Sequence, residues 1–234
     1  MVKNIQFLMG LFLLMISPVV FSQTLEGAWE LKTPDKQIIL VVKDGYFTNT
    51  AYTPKAFLST WGGVLKTDGN HAKIMVEFNS SNSAEVGKEM TYDFSISNNQ
   101  LQVNDGDEEH TFKRIDNGNA PLAGVWKITG RKQDGNILAI HQTGPRKTLK
   151  MLTGSRFQWF AINPETKEFS GTGGGTYSFI NGKYTENILF FSRDNSRVGA
   201  QLTFDGKLQD GNWHHSGLSS KGDPIYEIWS RVKY

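Results

Sequence analysis

One short segment occurs twice in this chain of 234 residues. The stretch from Leu25 to Trp29 returns from Leu122 to Trp126, 97 positions later (122 − 25), and both copies carry Gly-x-Trp. Each copy is followed by a series of strand-like segments that ends near an arginine. Because a unit that recurs at a fixed distance marks a repeated structural element, the segment predicts an internal duplication.

The correspondence between the two copies continues through the strands. Phe47 corresponds to Phe157 at an offset of 110, and Gly62-Gly63 corresponds to Gly174-Gly175 at an offset of 112. The offset of 112 then holds without a gap to Val103. A constant register over such a distance is typical of a duplicated domain. We therefore expect one domain over residues 23–117, a linker over 118–121, and a second domain over 122–234.

Local patterns indicate strands and turns in both copies. From Ala72 to Phe78, apolar residues occupy every second position, which is the period of a half-buried strand. Lys43-Asp44-Gly45 and Ser97 to Gln100 are turn signals between such segments. No helical period runs for two full turns after the first 22 residues. About eight short antiparallel strands have exposed edges unless they close, so the fold class predicted is all-β, with two tandem up-and-down antiparallel barrels.

Closure would bring the first strand of each barrel next to its last strand. An arginine on the last strand could then stack on the tryptophan of the first and bind backbone carbonyls at the barrel floor. The sequence resembles the lipocalin (calycin) superfamily in this respect, which implies a barrel of that type. The residues expected to close the two barrels are Gly27, Trp29 and Arg114, and Gly124, Trp126 and Arg231.

The second copy has four further characteristic segments: Arg146 to Lys150, Gly173 to Tyr177, Tyr184 to Glu186 and Tyr226 to Arg231. In these segments it resembles the lipocalin-like domains of secreted bacterial proteins, and the resemblance covers most of Leu122 to Val232. It implies a fold rather than an activity, because many such domains have no assigned activity. The first copy departs from this pattern at several of the same positions.

The beginning of the chain has the composition of an export signal. Lys3 precedes a mostly apolar run from Phe7 to Val20, and Ser22 is a small residue suited to cleavage. We expect residues 1–22 to be a signal peptide and the mature protein to be secreted or periplasmic, without a transmembrane segment. The alternative is an uncleaved anchor, for which the run is short. Because the chain has no cysteine, a lipoprotein anchor and disulfides are excluded.

The two copies differ at positions expected to face the barrel interiors. Apolar residues of the first copy, such as Leu65, Ala72 and Leu101, are replaced in the second by polar and aromatic ones. The predicted ligand-binding residues are Tyr177, Tyr184, Glu186, Trp213, His215, Glu227 and Trp229. Burying a carboxylate without a partner is costly, so two inward glutamates imply internal partners, water or a ligand.

The leading interpretation is an exported small-molecule binding protein with its ligand cup in the C-terminal barrel. An aromatic wall with a few polar groups is typical of such sites, and carboxylates favour a small amphipathic ligand with hydroxyl or amine donors. The N-terminal barrel would be mainly structural. Tyr184 and Glu186 could instead bond to each other or to backbone at the barrel floor. Two further alternatives are an enzyme that uses Glu186, Glu227, His215 or Tyr184 for proton transfer on a small molecule or sugar, and a structural or interaction module with two filled barrels.

Other motifs carry less functional information. Gly171 to Thr176 is rich in glycine, but no helix follows to bind a phosphate, so a strand with close backbone approach is expected. His214 and His215 are adjacent, and adjacent strand residues point to opposite faces, so no metal site is predicted. No cofactor is predicted either. The net charge is +2 without a basic block, so nucleic acid is not an expected partner.

Overall fold

The computed structural model describes residues 24–106, 108–140, 144–219 and 222–234. The predicted signal peptide, residues 1–22, lies outside the described residues. The described chain is all-β, with two short 3₁₀ turns at Ser83–Glu85 and Asn195–Arg197, which confirms the predicted fold class. Over these described ranges, none of the helical segments is long and apolar enough to cross a membrane.

The first barrel is closed and consists of eight antiparallel strands that pair in sequence order. Its first strand also pairs with its last, with Trp29 opposite Arg114. The strands are β1 (Gly27–Lys32), β2 (Gln37–Lys43), β3 (Tyr46–Tyr52), β4 (Phe57–Asp68), β5 (His71–Asn79), β6 (Glu89–Ser97), β7 (Gln100–Asn104) and β8 (Glu109–Asp116).

The second barrel has the same order and closes through pairing of β9 with β17. Its strands are β9 (Gly124–Gln133), β10 (Asn136–Ala139), β11 (Lys147–Leu152), β12 (Arg156–Asn163), β13 (Glu168–Ile180), β14 (Lys183–Phe191), β15 (Gln201–Gln209), β16 (Asn212–Leu218) and β17 (Pro224–Val232). The extra strand β10 pairs with the second half of β9, whereas β11 pairs with the first half.

The strand boundaries confirm the internal duplication. β5 and β14 start and end 112 positions apart, and so do β6 and β15. The two 3₁₀ turns are also 112 positions apart, and each is capped by the side chain of the preceding residue, Asn82 or Asp194. The same sequence spacing therefore produces the same local structure in both barrels.

The arginine near the end of each barrel lies on the tryptophan of the first strand. The guanidinium carbon of Arg114 is 3.8 Å from the centre of the Trp29 ring, and that of Arg231 is 4.4 Å from Trp126. Arg114 also donates hydrogen bonds to two carbonyl oxygens before β1, and Arg231 does the same before β9. Each arginine thus connects the segment entering its barrel to the strand that closes it.

Glycines in the long strands allow the backbones to approach. A Cβ atom at Gly63 would lie 1.9 Å from the carbonyl oxygen of Met75, and one at Gly175 would lie 1.9 Å from that of Asn187. Both positions adjoin a β-bulge, where the register of the paired strands shifts. The glycine-rich segment of β13 is therefore structural, because only glycine fits where the strands are so close.

The outer surfaces of the two barrels pack against each other and form a shared apolar core between them. Phe78 of the first barrel stacks on Phe160 of the second, with ring centres 4.9 Å apart, and both are buried. Equivalent residues meet across this interface: Phe57 stacks on Phe169, its partner at an offset of 112. The same offset relates Phe78 to Phe190. The contacts Phe57–Phe190 and Phe78–Phe169 are therefore equivalent, and their ring separations of 6.4 and 6.2 Å are similar. The barrels are thus packed with approximate two-fold symmetry.

A buried polar network lies in the middle of this interface. The Gln158 side chain accepts hydrogen bonds from the hydroxyls of Thr48 and Thr50, at 2.8 and 3.2 Å. Its amide nitrogen donates to the hydroxyls of Thr60 and Thr172. Because a buried amide is costly when its hydrogen bonds are unmade, this network fixes how the barrels are positioned.

Candidate functional site

The predicted ligand-binding residues lie together inside the second barrel. Tyr184, Trp213 and His215 are almost fully buried, and neighbouring rings are in contact. The ring of Tyr184 is 4.9 Å from that of Trp213 and 5.7 Å from that of His215, measured between centres. Glu186 is buried, and Tyr177 and Trp229 complete the same apolar cluster. Glu227 is paired with His215 across β16 and β17.

A lysine that the sequence interpretation did not include lies at the centre of this group. Lys150 is 6% exposed, and its ammonium donates a hydrogen bond of 2.9 Å to Glu186. Tyr184 donates to the same carboxylate at 2.8 Å, so the alternative in which Tyr184 and Glu186 bond to each other is confirmed. The internal partner that a buried Glu186 requires is therefore supplied mainly by Lys150.

The second carboxylate, which is only partly buried, interacts with aromatic and histidine side chains. Glu227 accepts a hydrogen bond of 3.0 Å from the indole of Trp229, and its oxygen lies 3.4 Å from Nδ1 of His215. Burial lowers the pKa of His215, and the nearby charge of Lys150 acts in the same direction. The neighbouring carboxylates Glu227 and Glu186 partly oppose this shift. His215 is therefore held towards its neutral form.

Several nitrogen atoms in this cluster have no hydrogen-bond partner among the described residues. They are both ring nitrogens of His215 and Nε1 of Trp213. All three are buried in a layer of rings, where Phe204 lies 4.2 Å from the His215 ring between centres. Buried polar atoms are ordinarily satisfied, so Nε2 of His215 and Nε1 of Trp213 are exceptions within this packed layer of rings, whereas the Glu227 carboxylate lies near Nδ1 of His215.

The first barrel contains a cavity of about 220 Å³. Most of its wall is apolar, and the polar side chains on it include Asn49, Asp105 and His110. The residues that line it are Leu25, Leu40, Val42, Phe47, Asn49, Trp61, Leu65, Ala72, Ile74, Tyr92, Phe94, Leu101, Val103, Asp105, His110 and Phe112. The cavity is large enough for a small organic molecule, because an engineered apolar cavity of about 150 Å³ binds benzene.

The predicted residues of the second barrel occupy the same structural positions as part of this cavity wall. Each of the seven, and Lys150, has an equivalent among the cavity-lining residues, related by the repeat offsets of 110, 112 or 117. The pairs are Leu40 and Lys150, Leu65 and Tyr177, Ala72 and Tyr184, Ile74 and Glu186, Leu101 and Trp213, Val103 and His215, His110 and Glu227, and Phe112 and Trp229.

The contents of the two barrels differ because of side-chain size and charge at these positions. Tyrosine replaces Ala72, tryptophan replaces Leu101, and histidine replaces Val103 in the second barrel. These larger groups fill space that remains in the first barrel as its cavity. The change from Leu40 and Ile74 to a lysine and a glutamate also introduces an ion pair. One scaffold thus holds an apolar cavity in one copy and a charged aromatic cluster in the other.

The sequence itself indicates that Lys150 is buried and has an internal partner. It lies between Leu149 and Met151 in a strand with four consecutive buried residues, and its equivalent in the first copy is Leu40. A charged residue at an apolar position of a repeat indicates a specific internal partner. The constant offset of 112 does not reach this strand, whose residues lie 110 positions after their equivalents in the first copy.

Among the described residues, no group of three or more histidine, aspartate or glutamate side chains is placed to hold a metal ion. Comparison with protein-family models gave no match, and comparison with curated proteins gave none either. The function must therefore be inferred from the geometry of the two barrel interiors.

Proposed function

We propose that this chain is an exported small-molecule binding protein of lipocalin-like type, and that the cavity of the N-terminal barrel holds its ligand. The observation that carries the proposal is the cavity of about 220 Å³, lined mostly by apolar side chains. Concave apolar sites with few polar groups are the usual form of small-molecule sites. The stacking of Arg114 on Trp29, and of Arg231 on Trp126, supports the lipocalin-like assignment.

The size and chemistry of the cavity limit the ligand. Scaled from benzene in a cavity of about 150 Å³, a volume of about 220 Å³ suits a molecule of about nine non-hydrogen atoms. Leu40 and Ile74 provide no charge where the second barrel has its ion pair. Asn49 and His110 lie on the wall and can bind a hydroxyl or carbonyl group. The expected ligand is an uncharged, largely apolar molecule with one polar group.

The proposal is tested with 2-phenylethanol as the probe, a ring compound of about this size, in titrations of the full mature chain followed by calorimetry and protein NMR. We expect saturable binding with chemical-shift changes at Trp61 and Ala72, which line the cavity. Ala72→Phe introduces a ring at the position that Tyr184 occupies in the second barrel, and binding should be lost. Met75→Phe is the matched control, because Met75 lies on the exposed face of the same strand.

The results can also contradict the proposal. Equal binding by the Ala72→Phe and Met75→Phe variants would mean that the probe binds elsewhere, and the N-terminal cavity would be rejected. Absence of binding by 2-phenylethanol, naphthalene and p-cresol alike would also reject an apolar ligand of this size.

Export is part of the same proposal. Its support is the sequence of residues 1–22, with Lys3 before the apolar run from Phe7 to Val20. Expression of the full chain in a bacterial host, followed by fractionation and N-terminal sequencing, tests it. We expect the mature chain to begin at Gln23 in the periplasm or medium. A cytoplasmic chain that retains residues 1–22 would overturn the proposal.

The cup predicted in the C-terminal barrel is a second candidate site. Two observations favour it: the seven predicted residues converge, and Nε2 of His215 and Nε1 of Trp213 lack hydrogen-bond partners among the described residues. Glu186→Gln and Glu227→Gln test this site with ligand recovered by native mass spectrometry from protein purified in its own host. Affinity for that ligand should fall in both variants. Unchanged affinity in both would exclude the C-terminal cup.

A further inference from the structure

The ammonium of Lys150 is surrounded by aromatic rings. Its nitrogen lies 5.3 Å from the ring centres of Tyr184 and Trp213, 5.5 Å from that of Trp229 and 5.8 Å from that of Phe157. All four distances are within the range in which a cation is attracted to the face of a ring. Aromatic cages of this type bind quaternary ammonium groups in other proteins.

The cage also contains a carboxylate. Glu186 accepts the hydrogen bond of 2.9 Å from Lys150 and is oriented by the hydroxyl of Tyr184 at 2.8 Å. Rings on several sides and one oriented anion are the two elements that recognise a primary ammonium ion in a water-poor site. The side chains of Lys150 and Glu186 are only 7% and 6% exposed, so water contributes little to the stabilisation of either charge.

We propose that the interior of the C-terminal barrel is a binding site for a primary ammonium group, and that the side chain of Lys150 is its internal occupant. This inference says what fills the interior of the C-terminal barrel in the natural chain, and it does not depend on the cavity of the N-terminal barrel. A small alkylammonium ion is the external ligand that the site takes when the Lys150 side chain is shortened.

The internal repeat indicates that Lys150 and Glu186 form a specific ion pair of the second barrel. Leu40 and Ile74 of the first barrel correspond to Lys150 and Glu186, so both members of the ion pair differ between the copies. Ala72 and Leu101 correspond to Tyr184 and Trp213, so two of the cage rings are also particular to the second barrel. The cation, the anion and two of the four rings occur together in the second copy, and the first copy has apolar, non-aromatic residues at those four positions.

The replacement Lys150→Ala removes four non-hydrogen atoms, three carbons and the nitrogen, and leaves the cage and Glu186. The n-propylammonium ion consists of the same four atoms, so it can occupy the vacated space. Thermal unfolding of the full mature chain is measured with increasing n-propylammonium chloride, at constant ionic strength. We expect Lys150→Ala to unfold at lower temperature than the wild type, and n-propylammonium to raise that temperature saturably by several degrees.

Two controls separate an ammonium site from simple filling of a cavity. n-Propanol has nearly the same size without the charge, and it should stabilise the variant much less than n-propylammonium. Leu40→Ala is the equivalent truncation in the first barrel and should show no preference for n-propylammonium over n-propanol. Equal responses to the two additives in folded Lys150→Ala, or no response to either, would overturn the inference.

A measurement on the wild type tests the inference if Lys150→Ala does not fold. Ring currents from the surrounding aromatic side chains shift the ε-methylene protons of an enclosed lysine upfield by several tenths of a ppm or more. Side-chain assignment of labelled protein should place the Lys150 resonance apart from those of the exposed lysines, such as Lys73. An ordinary chemical shift for Lys150 would show that the cage does not hold its ammonium, and would overturn the inference.

Discussion

Replacing the buried ion pair of the second barrel tests how Lys150 and Glu186 depend on each other. Lys150→Leu and Glu186→Ile install the residues found at the equivalent positions Leu40 and Ile74 of the first barrel. Both charged side chains are less than a tenth exposed and are joined by a hydrogen bond of 2.9 Å. Removal of one member leaves the other charge buried without its partner, which costs about 3–5 kcal/mol.

The double variant should behave differently from the sum of the single ones. Additive effects would give about 6–10 kcal/mol, twice the cost of one uncompensated buried charge. With both charges absent, the main loss is the acceptor of the Tyr184 hydroxyl, which costs about 1–3 kcal/mol. Urea unfolding of the wild type and the three variants measures the coupling. A double variant whose loss equals the sum would refute the idea that the charges stabilise each other.

Two further predictions follow from single contacts. Because burial lowers the pKa of His215, the unfolded chain binds this proton more readily, and stability should fall as the pH decreases below about 6.5. The pH dependence of urea unfolding should be weaker in His215→Gln; an unchanged dependence would contradict this. Arg114→Leu should cost about 1–3 kcal/mol in the same assay, since it loses the stacking on Trp29 and two backbone hydrogen bonds. An unaltered unfolding midpoint would contradict that role.

The barrel fold could be predicted because the repeat is visible in the amino-acid sequence itself. Strand alternation at Ala72 to Phe78 and the constant offset after Gly62 both depend on local sequence. The direction of the inward face is also a local property, and Tyr184, Glu186 and Trp213, which the pattern places on that face, are buried in the structure.

The occupants of the two interiors could not be predicted in the same way. Whether a barrel retains a cavity depends on the summed volume of side chains from all its strands, and on bulges that turn individual side chains. Phe78, for example, is on the same face as Ile74 by alternation, but it lies in the core between the barrels, and Ile74 lies inside the first barrel. The bulge beside Gly63 separates the two positions along the strand pair.

The shared core between the barrels has a consequence for how the chain unfolds. Phe160 is fully buried and packs on Tyr46 and Phe78, both of the first barrel, with ring separations of 5.5 and 4.9 Å. Phe160→Ala should cost about 3–5 kcal/mol, as large-to-small changes at buried aromatic residues do. For a chain of this size, that corresponds to a decrease in Tm of roughly 6–20 °C.

Hydrogen exchange distinguishes a loss confined to one barrel from a loss shared by both. The reporters are β1 (Gly27–Lys32) in the first barrel and β16 (Asn212–Leu218) in the second, neither of which contributes to the shared core. If the interface makes the two barrels one cooperative unit, Phe160→Ala should lower protection equally in both strands. Leu58→Ala, at an exposed position, should lower neither. Loss of protection in β16 alone would mean that the barrels unfold independently, and that the buried contacts between them position the two units without stabilising them jointly.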